Sequence, residues 1–169
     1  MTLRSTTPDD LDAIMAIERR SFPTDAWSPE LMAAELASPH GVYLVDEVEG
    51  TVIGYGGVRA LQGGSDADIQ TIALEAAHRG AGRGRALLRA LLDAAEARGA
   101  REVFLEVRAD NPGAEGLYVS EGFEEIGRRP RYYQPDDVDA IVMRLVLRHR
   151  RGAAEPGAHD SDAEKEATA

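Results

Sequence analysis

A short segment rich in glycine and arginine stands between an apolar strand and an amphipathic helix. Its sequence is Arg79-Gly80-Ala81-Gly82-Arg83-Gly84-Arg85. Residues 67–74 before it predict a strand, and residues 84–98 predict a helix with leucines on one face. Glycines let backbone N–H groups approach an anion, and a helix start offers unpaired N–H donors. The segment is therefore suited to bind a phosphate group, with arginines that match phosphate oxygens.

Two other glycine motifs fit this segment poorly. A P-loop needs a Gly-Lys-Ser or Gly-Lys-Thr sequence, and the segment contains no lysine. The dinucleotide fingerprint needs a third glycine, whereas Gly82-Arg83-Gly84 is followed by Arg85, Ala86 and Leu87. Taken alone, the segment fits a flexible turn with solvated arginines as well as it fits an anion site.

The pattern along the chain predicts one mixed α/β domain over residues 1–147. We expect a mostly antiparallel sheet of about seven strands with flanking helices. The predicted strands are residues 2–5, 42–48, 52–59, 67–74, 102–107, 124–129 and 140–146. The first predicted helix begins at Pro8. The other three predicted helices cover residues 29–37, 84–98 and 112–121.

Residues 148–169 predict a disordered tail, because they are rich in alanine, glycine and acidic residues and hold no aromatic residue. The tail holds four basic and five acidic residues, so it leaves the domain with −10 of the net charge of −11. This acidity argues against a nucleic-acid-binding surface. It suits a cationic partner, and it equally suits an ordinary acidic protein.

Other functional classes are disfavoured by what the sequence lacks. The chain has no cysteine, and its four histidines show no zinc-ligand spacing, so we expect no metal site. No apolar run approaches the length of a membrane span, and the N-terminus does not resemble a signal peptide. We therefore expect a cytoplasmic protein without a membrane partner; no pattern indicates its oligomeric state.

Two motifs at matching spacing resemble those of the GNAT family of acetyl-CoA-dependent N-acetyltransferases, over residues 2–147. They are Arg79-x-x-Gly82-x-Gly84 after a strand, and Asn111-x-x-Ala114-x-x-Leu117-Tyr118 with Glu121-Gly122-Phe123. The resemblance implies that residues 79–85 bind the pyrophosphate of acetyl-CoA. It also implies that the backbone of Ile72, Ala73 and Leu74 pairs with the pantetheine arm as an added strand would. Asn111 either binds the pantetheine amides or caps the helix that begins at Pro112.

Acetyl transfer to an amine needs a neutral amine, a polarised thioester carbonyl and a proton for the leaving thiolate. Without cysteine, we expect direct attack in a ternary complex. Glu106 ends an apolar strand, where burial raises a carboxyl pKa toward neutrality, which makes it the candidate base. From the residue alone, an ion pair with a neighbour such as Arg108 is the more common arrangement. Tyr118 is the candidate acid, although a core tyrosine with a satisfied hydroxyl is commoner.

A closer similarity is to the bacterial ribosomal-protein-alanine N-acetyltransferases, the RimI branch of that family. It rests on Leu105-Glu106-Val107-Arg108, Asn111, Leu117-Tyr118, Ile17-Glu18, Phe22-Pro23, Ala26-Trp27-Ser28, Arg131-Tyr132-Tyr133 and Asp139-Ala140-Ile141-Val142-Met143. It implies Glu106 as base, Tyr118 as acid and the N-terminal alanine of a small-subunit ribosomal protein as acceptor. An α-amine has a pKa of about 8, against about 10.4 for lysine, so a modest base suffices. Trp27 and Tyr132 are candidates to line the peptide channel, although packing is the commoner role for Trp27.

Two other functions stay open on the sequence. One is acetylation of a small-molecule amine, such as a polyamine, an amino acid or a drug. The other is a non-catalytic acyl-CoA-binding module that regulates a partner. Glu106 and Tyr118 at matching positions weigh against the module, and the Phe22…Trp27 and Arg131–Tyr133 patterns favour a peptide acceptor over a small molecule.

Overall fold

The second and third strands form a hairpin that turns at Glu49 and Gly50, within a seven-stranded sheet. The computed structural model describes residues 2–150. The strands are β1 (Thr2–Ser5), β2 (Gly41–Val48), β3 (Thr51–Ala60), β4 (Asp66–Leu74), β5 (Glu102–Arg108), β6 (Glu124–Tyr133) and β7 (Val138–Val146). Their order is β1-β2-β3-β4-β5-β7-β6, and each neighbouring pair is antiparallel except β4 and β5. The predicted mixed, mostly antiparallel sheet is confirmed.

Helices flank the sheet near their predicted positions. They are α1 (Leu11–Ser21), α2 (Pro29–Ala37), α3 (Arg83–Ala97) and α4 (Pro112–Ser120), and a 3-10 turn, Pro8–Asp10, leads into α1. The Ser28 hydroxyl accepts a hydrogen bond from the Leu31 amide at 3.1 Å, which explains why α2 begins with Pro29. Within residues 2–150, no helix has both the length and the apolar composition that crossing a membrane requires.

Both faces of the sheet are covered by helices. Successive side chains of a strand point to opposite faces, so Val45 of β2 lies in one buried cluster while Leu44 packs against the other. Leu88 and Leu91 of α3 are completely buried on the Leu44 side. Ile14 of α1 is completely buried on the Val45 side. The sheet is therefore the middle layer of three.

The strands β4 and β5 are hydrogen-bonded only where they begin. Their parallel pairing joins residues 66–68 to residues 102–104. Beyond that point β4 stays paired with β3 as far as Leu74, and β5 stays paired with β7 as far as Arg108. The two strands therefore separate, and a cleft opens between them with backbone groups along the free edge of β4.

Several predicted boundaries differ from the structure by one to three residues, and a larger difference is at the end of β6. The strand β6 was predicted to end at Arg129, but after a register shift it pairs with β7 again at Tyr133 and Val138. Arg131 adopts a left-handed backbone with φ of 54° at this irregularity. The helix α3 begins at Arg83, one residue earlier than predicted.

The first residues of the predicted tail lie against the domain. Leu147–His149 forms a 3-10 turn, and Arg150 Nη1 lies 2.7 Å from Asp93 Oδ1. Residues 151–169, the rest of that tail, lie outside the described residues. The disorder expected of them stays a prediction.

Candidate active site

The cleft between β4 and β5 leads into a groove beside the glycine-rich segment. We call it the glycine-loop groove. Its lining includes the end of β4, the start of α3 and one side of α4. The lining residues that the sequence had predicted as site residues are Ile72, Ala73, Leu74, Arg79, Gly80, Gly82, Gly84, Arg85, Asn111 and Tyr118. Ala81 and Arg83 are absent from this lining. Most residues that the sequence singled out for acetyl-CoA thus meet in one place.

Backbone geometry explains the glycines of the segment. Gly80 and Gly82 both have φ of +81°, in the left-handed region that other residues rarely adopt. Gly82 is the N-cap of α3, and its carbonyl accepts the first intrahelical bond from the Ala86 amide at 3.0 Å. The amides of the first helical turn have no acceptor within the helix and carry its positive dipole end. An anion in the groove would meet these amides.

The three arginines of the segment have different surroundings. Arg79 lines the groove, and its Nε donates to the Leu74 carbonyl at 3.1 Å. Arg85 also lines the groove and donates to the Ser120 hydroxyl at 2.8 Å and to the buried Glu121. The guanidinium of Arg83 instead binds the buried Asp46 of β2. The guanidinium of Arg83 is therefore occupied by Asp46, and the part of Arg83 that can bind a pyrophosphate is its backbone amide.

A second pocket continues from the groove toward β6; we call it the carboxylate pocket. It is lined from α1, segment 22–27, β4, β5, α4 and β6, and its carboxylates are Glu18, Asp25 and Glu106. The groove and this pocket share Phe22, Ile72, Asn111, Ala114 and Tyr118. The two spaces therefore adjoin each other, and Tyr118 lies in the wall that they share.

The ring of Tyr118 is 8% exposed and stands edge-on to Phe123, with 5.8 Å between ring centroids. Burial raises the pKa of Tyr118 to about 12. The phenol is therefore protonated at neutral pH and has a hydrogen to donate. This environment differs from that of a core tyrosine with a satisfied hydroxyl.

Glu106 has a side chain that is 27% exposed in the carboxylate pocket. Its Oε1 lies 3.2 Å from Arg129 Nε on β6. The ion pair considered from the sequence, with Arg108, does not form, because Arg108 binds Asp25, Asp110 and Asp136 instead. Glu106 therefore keeps an exposed face toward the cavity.

Of the two aromatic residues expected at the peptide channel, Trp27 lines the carboxylate pocket and Tyr132 does not. Trp27 also packs partly buried against the α1 core, which confirms its packing role, and its role in a peptide channel stays a prediction. Tyr132 is 48% exposed beside Arg129, whose guanidinium carbon lies 5.5 Å from the ring centroid. Tyr133 lines the pocket as well. The charge of Glu106, burial and a hydrogen bond with Glu106 raise the pKa of Tyr132, so Tyr132 contacts a residue of the pocket. The place of Tyr132 in a peptide channel stays a prediction.

The sequence reasoning missed Glu18, which is 2% exposed and lines the carboxylate pocket. It accepts hydrogen bonds from the Trp27 amide at 3.0 Å and from the hydroxyl of the buried Tyr55. Burial raises the pKa of Glu18 above its ordinary value. A signal was present, because Glu18 lies four residues after Ile14 and thus on the apolar face of α1.

Of the two roles predicted for Asn111, the structure shows the helix cap. Its side-chain oxygen accepts from the Ala114 amide at 3.2 Å and caps α4. The side chain also borders both the groove and the pocket. Because the oxygen is used by the cap, the amide nitrogen is the end that stays available to a ligand.

Comparisons with known proteins agree with this arrangement. A model of the acetyltransferase (GNAT) family matches residues 11–123. The N-alpha-acetyltransferase RimI of Mycobacterium tuberculosis is 40% identical over 147 residues, which are 85% of this chain and 91% of that protein. A Mycobacterium leprae protein is 40% identical over 141 residues, which are 82% of this chain but only 38% of that protein. The crystal structure of the ribosomal-protein-S18-alanine N-acetyltransferase from Escherichia coli matches with a TM-score of 0.78 at 32% identity, over 86% of this chain and 93% of that one.

Proposed function

The chain belongs to the acetyltransferase (GNAT) family, and we propose that it transfers the acetyl group of acetyl-CoA to the N-terminal α-amine of a protein. The observation that carries the proposal is that the glycine-loop groove, at the start of α3, adjoins the carboxylate pocket, with Tyr118 in the lining of both. The N-terminal alanine of a small-subunit ribosomal protein is the acceptor that we propose.

The glycine-loop groove suits the phosphates and the extended arm of acetyl-CoA. The amides of residues 82–85 and the guanidiniums of Arg79 and Arg85 supply donors and positive charge for a pyrophosphate. The free edge of β4 at Ile72, Ala73 and Leu74 supplies backbone groups for the amides of the pantetheine arm. Asn111 can donate to the same arm through its amide nitrogen.

Glu106 and Tyr118 have the chemistry that the transfer needs. The amine nitrogen attacks the thioester carbonyl, the carbon–sulfur bond breaks, and the nitrogen loses a proton that Glu106 accepts directly or through a water molecule. Tyr118, protonated and without a hydrogen bond that shifts its pKa, donates toward the leaving sulfur. The chain has no cysteine that could carry the acetyl group, which supports direct transfer with both substrates bound together.

Charge and chemistry favour a protein N-terminus as the acceptor. An α-amine is neutral in a useful fraction near pH 7 because its pKa is about 8. The carboxylate pocket and a domain with −10 net charge attract a basic peptide. The proteins named above include an N-alpha-acetyltransferase and a ribosomal-protein-S18-alanine N-acetyltransferase, which supports this acceptor.

Acetylation of synthetic peptides tests the proposal. A basic peptide that begins with alanine should be acetylated, and its N-terminally blocked form should not react. An internal-lysine peptide and free polyamines serve as the competing acceptors. Exclusive turnover of polyamines would replace the peptide acceptor with a small molecule, and binding of acetyl-CoA without any turnover would favour a regulatory module.

A further inference from the structure

Arg108, at the end of β5, is the centre of an ionic cluster at the rim of the carboxylate pocket. Its guanidinium lies 2.9 Å from Asp110, 3.1 Å from Asp136 and 3.5 Å from Asp25. The same group stands over the ring of Tyr133, 5.2 Å from the centroid. Its side chain is only 18% exposed, so these contacts are shielded from much of the solvent.

The carboxylates of this cluster come from separate loops. Asp25 belongs to segment 22–27 between α1 and α2, and Asp136 belongs to the turn between β6 and β7. Thr24 joins the same two elements directly, because its hydroxyl donates to Asp136 Oδ2 at 2.6 Å. Segment 22–27 lines the carboxylate pocket through Asp25, and Tyr133, the last residue of β6 before the turn, lines it as well.

We propose that Arg108 is a positioning residue, which holds segment 22–27 and the β6–β7 turn together at the mouth of the acceptor site. We call Arg108, Asp25, Asp110, Asp136 and Thr24 the rim latch. The effect of the rim latch on the acceptor rests on the proposed function. Peptide binding should depend on the rim latch, whereas acetyl-CoA binding should not. The glycine-loop groove contains none of the latch residues, which is the reason for that separation.

The charges of the latch also define the acceptor that it suits. One guanidinium and three carboxylates leave two negative charges at the rim. The hydrogen bond from Arg108 lowers the pKa of Asp110, and those from Thr24 and then Arg108 lower the pKa of Asp136. Both groups are therefore ionised at neutral pH. A cationic peptide N-terminus is attracted to this rim, and added salt should weaken that attraction.

The test compares Asp136→Asn with Asp137→Asn, a matched change in the same turn. Asp137 accepts from Gln134 at 2.7 Å, and none of its contacts involve Arg108. Asp136→Asn and Thr24→Val should each raise the KM for the alanine peptide, by about tenfold for the former, with little change in kcat or in acetyl-CoA affinity. Asp137→Asn should leave all three quantities unchanged.

Hydrogen–deuterium exchange tests whether the rim latch holds segment 22–27 to the β6–β7 turn, and it requires no peptide acceptor. In Asp136→Asn the amides of segment 22–27 should exchange about tenfold faster, although they lie more than 100 positions away in the sequence. Unchanged exchange there would overturn the latch whatever the acceptor. Faster exchange with an unchanged KM for every accepted amine would overturn its role in acceptor binding. Failure of all peptides to react, with exchange altered as expected, would reject the proposed acceptor and retain the latch.

Discussion

Arg83 Nη1 lies 2.9 Å from Oδ2 of Asp46, a carboxylate on β2 that is completely buried. Arg83 is the first residue of α3, so this ion pair fixes the start of the helix to the sheet. The sequence predicted Arg83 as a phosphate ligand, whereas its guanidinium holds the glycine-rich segment against the sheet through Asp46. Its neighbours Arg79 and Arg85 line the groove.

Arg83→Ala should therefore destabilise the fold more than it weakens acetyl-CoA binding. Removing the guanidinium leaves Asp46 buried without its partner, and breaking a buried pair in this way costs about 3 kcal/mol. Arg79→Ala should leave unfolding unchanged and weaken acetyl-CoA binding about tenfold, because its guanidinium borders the groove. Thermal unfolding and titration calorimetry measure the two effects. Equal losses of affinity in both variants, with equal stability, would contradict this division.

Glu106→Gln should lower the turnover rate about 100-fold while acetyl-CoA still binds. The effect should be largest below neutral pH, because more of the α-amine is then protonated and a base is needed to remove the proton. The exposed ion pair with Arg129 contributes at most about 1 kcal/mol, so the fold should persist. Glu102→Gln is the matched control, since Glu102 lies on the same face of the same strand, outside the carboxylate pocket. Kinetics that are identical in Glu106→Gln and the parent chain would remove Glu106 from the mechanism.

Tyr118→Phe should reduce kcat more than it changes the affinity for acetyl-CoA. The substitution removes the hydroxyl and keeps the ring that packs against Phe123, so the core should tolerate it. Since burial raises the pKa of Tyr118 to about 12, the phenol should stay protonated through pH 10 and cause no alkaline fall in rate below that pH. Steady-state kinetics between pH 6 and pH 10 provide the measurement. A loss confined to acetyl-CoA affinity would argue against an acid role.

Local sequence signals predicted the elements of this fold well. The Ser28-Pro29 start of α2 and the turn at Glu49 and Gly50 depend on residues that are neighbours in the chain. In both cases the determining interaction is a cap or a pair of left-handed turn residues, with φ of 49° at Glu49 and 78° at Gly50. Such interactions can be read from a few consecutive residues.

The errors came from contacts between distant residues. Between Arg129 and Tyr133, β6 advances four residues while β7 advances two, and no local pattern predicts such an irregularity. The bond between Arg108 and Asp25 spans 83 positions, and no spacing rule connects them. Asp46 likewise attracts Arg83 across 37 positions. The sequence showed which charged residues the chain contains, and the fold of the sheet determined which of them form pairs.

Glu18→Gln should make the stability of the fold less dependent on pH. Burial raises the pKa of Glu18 in the folded chain, so its contribution to stability is complete below the ordinary carboxyl pKa and is lost as the pH rises through the folded value. Glutamine does not ionise and avoids that loss. Urea unfolding at a series of pH values from 4 to 8 measures the difference. Glu124→Gln, an exposed change at the start of β6, is the control. Parallel pH profiles for Glu18→Gln and the parent chain would refute the expectation.

Asn111→Ala and Asn111→Ser separate the two roles of this side chain. Alanine removes the cap of α4 and should cost about 1 kcal/mol of stability, whereas serine is as good a cap and should restore most of it. Serine places no amide nitrogen at the groove, so acetyl-CoA affinity should stay low in both variants if that nitrogen donates to the pantetheine arm. Chemical unfolding and calorimetric titration of acetyl-CoA give the two quantities independently. Recovery of both stability and affinity by serine would show that capping is the whole contribution of Asn111.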